Sequence, residues 1–235
     1  MALAKLIKNS LFWGLILIIA ATISSVNAAV IAPVSYDMSN GDGQANGGTY
    51  NYWDKNYTGS GNTTQDGACL SGGLGDLTDG IIATQNWSAV ENAAGTGPYV
   101  GWVNRNPTIT FNFGNLVNID AVTIYVDGSN GAGAVEIPQS VDLSMGASSF
   151  NSGILVGSPN GSPTSFTFSG LGFSGSSLQL GLNRTLGWVM LSEVTFQGST
   201  TVPKHSTFLG LSVLGGGALL KPILERAKKS NKSDD

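Results

Sequence analysis

The chain has 235 residues and a formal net charge of −4. Between Ala29 and Thr200 the basic residues are Lys55, Arg105 and Arg184, against twelve acids, and three minus twelve leaves −9. So acidic a domain repels a phosphate backbone, which excludes nucleic acid as a partner. One cysteine, Cys69, excludes an internal disulfide, and its small-residue setting (Ala68-Cys69-Leu70) points to a buried thiol. The single histidine, His205, lies near the C-terminus, so no Ser-His-Asp or Cys-His arrangement can form in the domain. Two carboxylates could make a glycosidase pair, but twelve scattered acids select none. The expectation is a protein that is not an enzyme.

The N-terminal stretch carries Lys5 and Lys8, an apolar run from Leu11 to Ile23, and Val26-Asn27-Ala28 before Ala29. That order is a secretory signal peptide over residues 1–28, which forms a helix outside the domain. The run is short for a membrane span. Residues 29–200 then suit one domain.

Within it, Ile31 to Tyr36 can form a first strand, and 39–48 and 59–67 read as loops. Tyr50, Tyr52, Trp53 and Tyr57 cluster between those loops. Gly73 to Gly80 holds Asp76, Asp79 and Thr78 among glycines, and runs on to Thr84 and Trp87. Such a loop can wrap acids and carbonyls around a hard cation. It also suits a plain Gly-Asp turn. Residues 92–97 are loop again.

Period-two alternation then predicts strands at 108–113 (Ile109, Phe111 and Phe113 inward), 121–126 (Val122, Ile124 and Val126) and 140–145 (Val141, Leu143 and Met145). A turn at 114–118 separates the first two, and 127–134 is loop. Further strands are expected at 153–156, 165–168, 178–182 and 188–196, the last with Val194 and Phe196 inward. Short strands between Gly-rich turns, with no amphipathic helix, give an all-β sandwich or barrel.

Val202-Pro203-Lys204-His205-Ser206-Thr207 opens residues 201–235, followed by an apolar run from Phe208 to Leu220 and a basic end. Apolar residues before positive charge form a short membrane stop, interrupted by Pro222. This tail resembles the PEP-CTERM sorting signal of exported Gram-negative proteins, with Val202, Pro203, Ser206 and Thr207 matching. Lys204 and His205 replace the usual Glu-Pro. The resemblance implies signal peptidase and an exosortase-type protease as partners during export, transient membrane association, and a final place at the cell surface or outside the cell.

Three further pieces resemble the galactose-binding-like jelly roll of discoidin (coagulation-factor type C) domains. They are Asp79-Gly80 with Thr84 and Trp87, the strand Pro107–Gly114, and the closing strand Leu191–Gly198 with Glu193. The resemblance implies a jelly-roll β-sandwich and a structural Ca²⁺ joining the Asp-Gly loop to the last strand. Asp79, Thr84 and Glu193 become ligands, with carbonyls near Leu74 and Asp76 completing a shell of six to eight oxygens at about 2.3–2.6 Å.

Sugar recognition needs aromatic faces flanked by polar groups. The available sets are Trp53 with Tyr52 and Tyr57, Trp102 with Arg105, and Arg184 with Trp188. Each tryptophan also suits core or rim packing. The resulting expectation is an exported, non-catalytic surface protein that binds extracellular polysaccharide through a Ca²⁺-stabilised jelly roll. A structural matrix or surface-layer protein with no sugar ligand is the alternative.

Overall fold

The computed structural model describes residues 28–200, apart from 44, 130 and 158–160. The signal-peptide run, the sorting tail and the two terminal helices expected there lie outside the described residues.

Nine strands are present among the described residues: β1 (Ala29–Val30), β2 (Ser35–Ser39), β3 (Cys69–Gly73), β4 (Val100–Trp102), β5 (Thr108–Val126), β6 (Ser140–Met145), β7 (Ser148–Asn151), β8 (Thr164–Asn183) and β9 (Val189–Thr200). Among the described residues helix is confined to single turns at Ala45–Gly48, Trp87–Val90 and Ala132–Ala134. The fold is an all-β jelly-roll sandwich.

Two long strands organise it. β5 and β8 pair antiparallel along most of their lengths, from Thr108 opposite Gly181 to Val126 opposite Thr164. The register slips between Asn112 and Val117, where Gly114 takes φ 72° and bends β5. On one side of that bend the order is β3-β2-β5-β8-β6-β7. On the other side β9 neighbours β5 and carries β1 and β4.

Alternation supplies the core. Ile109, Phe111 and Phe113 point inward, as do Val122, Ile124 and Val126 further along β5, and Val141, Leu143 and Met145 in β6. Phe111 and Phe113 meet Phe196 of β9 edge-on, with ring centroids 4.9 and 5.2 Å apart. Those contacts tie the two layers together, each pair adding about 0.5–1.5 kcal/mol beyond burial. A smaller cluster of Tyr52, Ala83, Tyr99, Val135 and Met190 packs with Tyr50, Trp87, Val90 and Trp188.

Several expectations are corrected. The turn at 114–118 is an irregularity within one strand, and 165–168 and 178–182 are parts of one β8. Residues 153–156 form no strand. Ile154 and Val156 are 79% and 84% exposed, and polar Ser148–Asn151 forms the edge strand through Phe150, whose ring lies 5.6 Å from Phe168. β3 carries no period-two apolar signal, since it is Cys-Leu-Ser-Gly-Gly with Leu70 its only large buried side chain. Cys69 is exposed, because the alternation that buries Leu70 turns its neighbour outward.

Candidate functional site

At one end of the sandwich, loops from distant parts of the chain meet. Asp42, 4% exposed, accepts Val103 N–H at 2.9 Å and pairs with Arg105 Nη2 at 2.5 Å. This is the only ion pair among the described residues. The Arg105 guanidinium lies so close over Gly67 that a Cβ there would sit 1.7 Å from Nη1. Arg184 enters from the loop after β8. Its backbone N–H donates to Asn106 Oδ1 at 3.2 Å, and its Nη1 donates to the Gly187 carbonyl. Burial pulls the Arg184 guanidinium below its ordinary value, and Asp42 pushes it back up.

Arg105 is thus the guanidinium paired with the buried Asp42 carboxylate, and Arg184 lies near enough to feel that charge without a bond to it. Among the described residues, Arg105 Nη1 and Arg184 Nη2 have no protein acceptor, and the Nε of each arginine is buried without one. Trp53 stands nearby, half-buried, its indole N–H donating to Asp66 Oδ1 at 2.8 Å. Asp66 Oδ1 also accepts Gly43 N–H at 2.8 Å, which fixes the loop that Trp53 packs on.

The other aromatic candidates do not join this group. Trp102 is fully buried, and its indole N–H donates to the Ser39 carbonyl at 2.9 Å. It is a core side chain and offers no face to a ligand. Tyr52 and Tyr57 are likewise buried. Trp188 is half-buried and meets the Tyr52 ring edge-on at 4.9 Å within the smaller cluster.

The Asp-Gly loop lies elsewhere. Glu193 on β9, 4% exposed, accepts Gly80 N–H at 3.1 Å through Oε2. Burial raises its carboxyl to about 7; the Gly80 bond opposes this and the charge of Asp79 adds to it. Asp79 uses Oδ1 to accept Ile81 N–H at 2.8 Å. Asp76 accepts from Asn56 through Oδ1, but its Oδ2 and the Thr78 hydroxyl are buried with no partner. Burial, then the charge of Asp54, raises Asp76 to about 7.

Glu193 thus meets the Asp79-Gly80 turn without a cationic side chain between them, and unpaired oxygens lie on the same loop. This donor set suits a hard cation such as Ca²⁺. Carboxylates alone do not make it, since no three Asp, Glu, His or Cys among the described residues come together. Leu74 fits poorly as a ligand. Its carbonyl already accepts Thr58 N–H at 2.8 Å and Thr58 Oγ1–H at 3.0 Å, which occupies both lone pairs. Thr84 is exposed.

The family model for "Discoidin domain-containing receptor 1/2, DS-like domain" matches residues 33–198. The chain belongs to that family. No curated protein matches it. Among solved structures it is similar to truncated AlyQ with CBM32 and alginate lyase domains, at 14% identity and TM-score 0.40, covering 74% of this chain and 34% of that one. A fucolectin from striped bass (Morone saxatilis) serum aligns at 12% identity and TM-score 0.38 over 71% of this chain and 72% of its own. CpGH89CBM32-6 from Clostridium perfringens aligns at 13% identity and TM-score 0.31, over 43% of this chain and 76% of its own.

In this DS-like domain, sequence reasoning missed Asp42, Asp66 and Asn106. Asp42 stands in a Gly-Asp-Gly run that reads as a turn, and its partner Arg105 lies 63 residues away. Neither periodicity nor spacing carries that pairing. A larger cavity of about 550 Å³ lies on the far side of Thr185, lined by Ile137, Ile154, Leu155 and Val156. In its lining the Thr185 hydroxyl donates to Glu136. The guanidinium donors without a protein acceptor are at Arg105 and Arg184.

Proposed function

We propose that this DS-like domain is a non-catalytic carbohydrate-binding module that grips a sugar at the loop end built on Asp42. The observation that carries it is Arg105, held by the buried Asp42 carboxylate with an N–H left open, with Trp53 on the adjoining Asp66–Gly67 loop and Arg184 near enough to feel the Asp42 charge. Asp42 holds the guanidinium of Arg105 in place, so little side-chain freedom is lost when a hydroxyl docks. Guanidinium N–H groups donate to sugar oxygens, and the Trp53 ring meets an apolar C–H face.

Affinity electrophoresis against immobilised polysaccharides tests this. Arg105→Ala and Arg184→Ala should each weaken retention at least tenfold, the scale of losing an interface hot spot of about 2 kcal/mol, while the melting curve keeps its shape. Retention unchanged in both variants would rule the site out.

Calcium is the structural half of the proposal. Asp79 and Glu193, with Thr78 and loop carbonyls such as that of Asp76, would hold it and clamp the loop to β9. A ligand bound only to the folded state stabilises by mass action, by about 2.7 kcal/mol at a hundred times its Kd. Ca²⁺ should therefore raise the Tm by several degrees, and Glu193→Ala should abolish the rise. Superimposable melts with Ca²⁺ and with chelator would sink the clamp.

Export through a signal peptide at residues 1–28, the domain boundaries 29–200 and 201–235, and sorting through the Lys204-His205 variant of the PEP-CTERM motif complete the reading. They place the module at the cell surface or outside the cell, facing extracellular polysaccharide. Among the described residues no helix is long and apolar enough to cross a membrane. The matrix-protein reading draws on one feature: Ile154 and Val156 are exposed in the lining of the larger cavity. A glycan array with no retained sugar would favour it.

A further inference from the structure

Directly below the loop end, the outer face of the sheet holds a second recess, of about 180 Å³. Its floor is Gly181 of β8, which stands between Thr108 of β5 and Asp142 of β6. The missing side chain makes the recess. A Cβ built on Gly181 meets nothing nearer than Asp142 Cβ, at 3.6 Å, so the space above it is open.

The walls are polar and short. Asn106, Thr108, Asp142, Ser144, Gln179 and Asn183 surround the floor. Asp142 is rigidly held: Asn151 Nδ2 donates to Oδ1 at 2.6 Å and Asn183 Nδ2 donates to Oδ2 at 2.7 Å. Those bonds, Asn151 first, keep its carboxyl below the usual range, so it is an ionised acceptor. Two of its roughly four lone-pair sites stay open. Among the described residues the side chains of Thr108, Ser144 and Gln179 have no protein partner. The lining thus offers hydroxyl, amide and carboxylate groups around a space the size of one sugar ring.

The recess also shares a wall with the arginine site. Asn106 stands on its rim while accepting the backbone N–H of Arg184 at 3.2 Å, and Asn183 directly precedes Arg184. A ligand unit gripped by Arg184 has its neighbour over Gly181 if it is part of a chain.

We infer that the Gly181 recess is a second sugar subsite, and that the ligand of this protein is an oligosaccharide chain running from the arginine pair onto the sheet face. This rests on the proposed sugar site at Arg105 and Arg184. A module built for one terminal sugar needs no polar recess beyond its loops. One that reads a chain needs a neighbouring subsite of this size, with hydroxyl-compatible walls.

The test uses the full chain and isothermal titration. Galactan, xylan, dextran and alginate are screened by affinity electrophoresis, and the retained polymer's own mono-, di-, tri- and hexasaccharides are then titrated. Affinity should rise at least tenfold from mono- to trisaccharide. Gly181→Leu, which fills the recess, should bind the trisaccharide no better than the monosaccharide while keeping the wild-type monosaccharide affinity. Gln179→Ala, which leaves the space open and removes a donor, should lower the increment several-fold. Equal mono- and trisaccharide affinity in the wild type, or an undiminished increment in Gly181→Leu, would overturn the subsite and leave the arginine site standing. Monosaccharide binding that survives Arg105→Ala would overturn the arginine site instead. Retention of none of the four polymers would overturn both.

Discussion

In the presence of a chelator, the protein should lose stability as pH rises from 5 to 8, and Glu91→Gln should remove the largest single share of that loss. Glu91 is 7% exposed. Its Oε1 accepts Tyr99 N–H at 2.8 Å, but its Oε2 is buried with no partner. Burial raises its carboxyl to about 8; the Tyr99 bond opposes this, and the charges of Asp76 and Asp127 add to it. A carboxyl whose folded pKa lies above its unfolded value holds its proton longer in the folded state. Stability is therefore unaffected below about pH 4.5 and falls as pH climbs through 8.

For Glu91 the full effect is on the order of 4 kcal/mol, or a Tm lower by about 10 °C in a domain of this size. Asp54, raised to about 6, and Asp76 and Glu193, raised to about 7, act with the same sign. Asp37 and Asp142 are held low by hydrogen bonds and act oppositely, but both are close to solvent and count for less. Glu91→Gln keeps the bond to Tyr99 and cannot ionise. It should match the wild type at pH 5 and exceed it at pH 8. A wild-type Tm that is level or rising across this range would refute the account.

Trp102→Ala should be the most damaging single change among the tryptophans. It removes a fully buried indole at the centre of the main cluster, which costs about 3–5 kcal/mol through lost burial and the cavity left behind. It also strands the Ser39 carbonyl that the indole N–H satisfies, adding about 1 kcal/mol. The urea midpoint should drop sharply. Trp53→Ala removes a half-buried ring on a loop and should move the midpoint far less, by about 1 kcal/mol. Sugar retention should show the reverse pattern when each variant is measured while folded. Equal midpoints for the two would contradict the burial of Trp102.

These two residues show what was legible in the sequence. Strands were readable where apolar residues alternate, as at Ile109, Phe111 and Phe113, because one sheet face is buried and the other is not. They were unreadable where alternation is carried by glycine and serine, as in β3, or where apolar residues stand exposed, as at Ile154 and Val156. Burial within an aromatic-rich stretch was also hidden. Trp102 and Arg105 are three residues apart, yet one anchors the core and the other reaches the loop surface, and β4's pairing with β9 decides which. The meeting of Glu193 with the Asp79-Gly80 turn spans 113 residues. Resemblance to discoidin domains supplied that partnership, and no local pattern could. Asp42 needed the fold itself, since a short acid between glycines looks the same whether it ends a turn or grips an arginine.

The continuity of β5 and β8 through both layers has a mechanical consequence. A sandwich whose layers are joined only by side chains has a seam along which it can be peeled. Here two covalent backbones cross that seam. A pull applied where the chain leaves β9 is carried into β5 beside it, and from there into both faces at once. Load on the domain is therefore shared between the two layers.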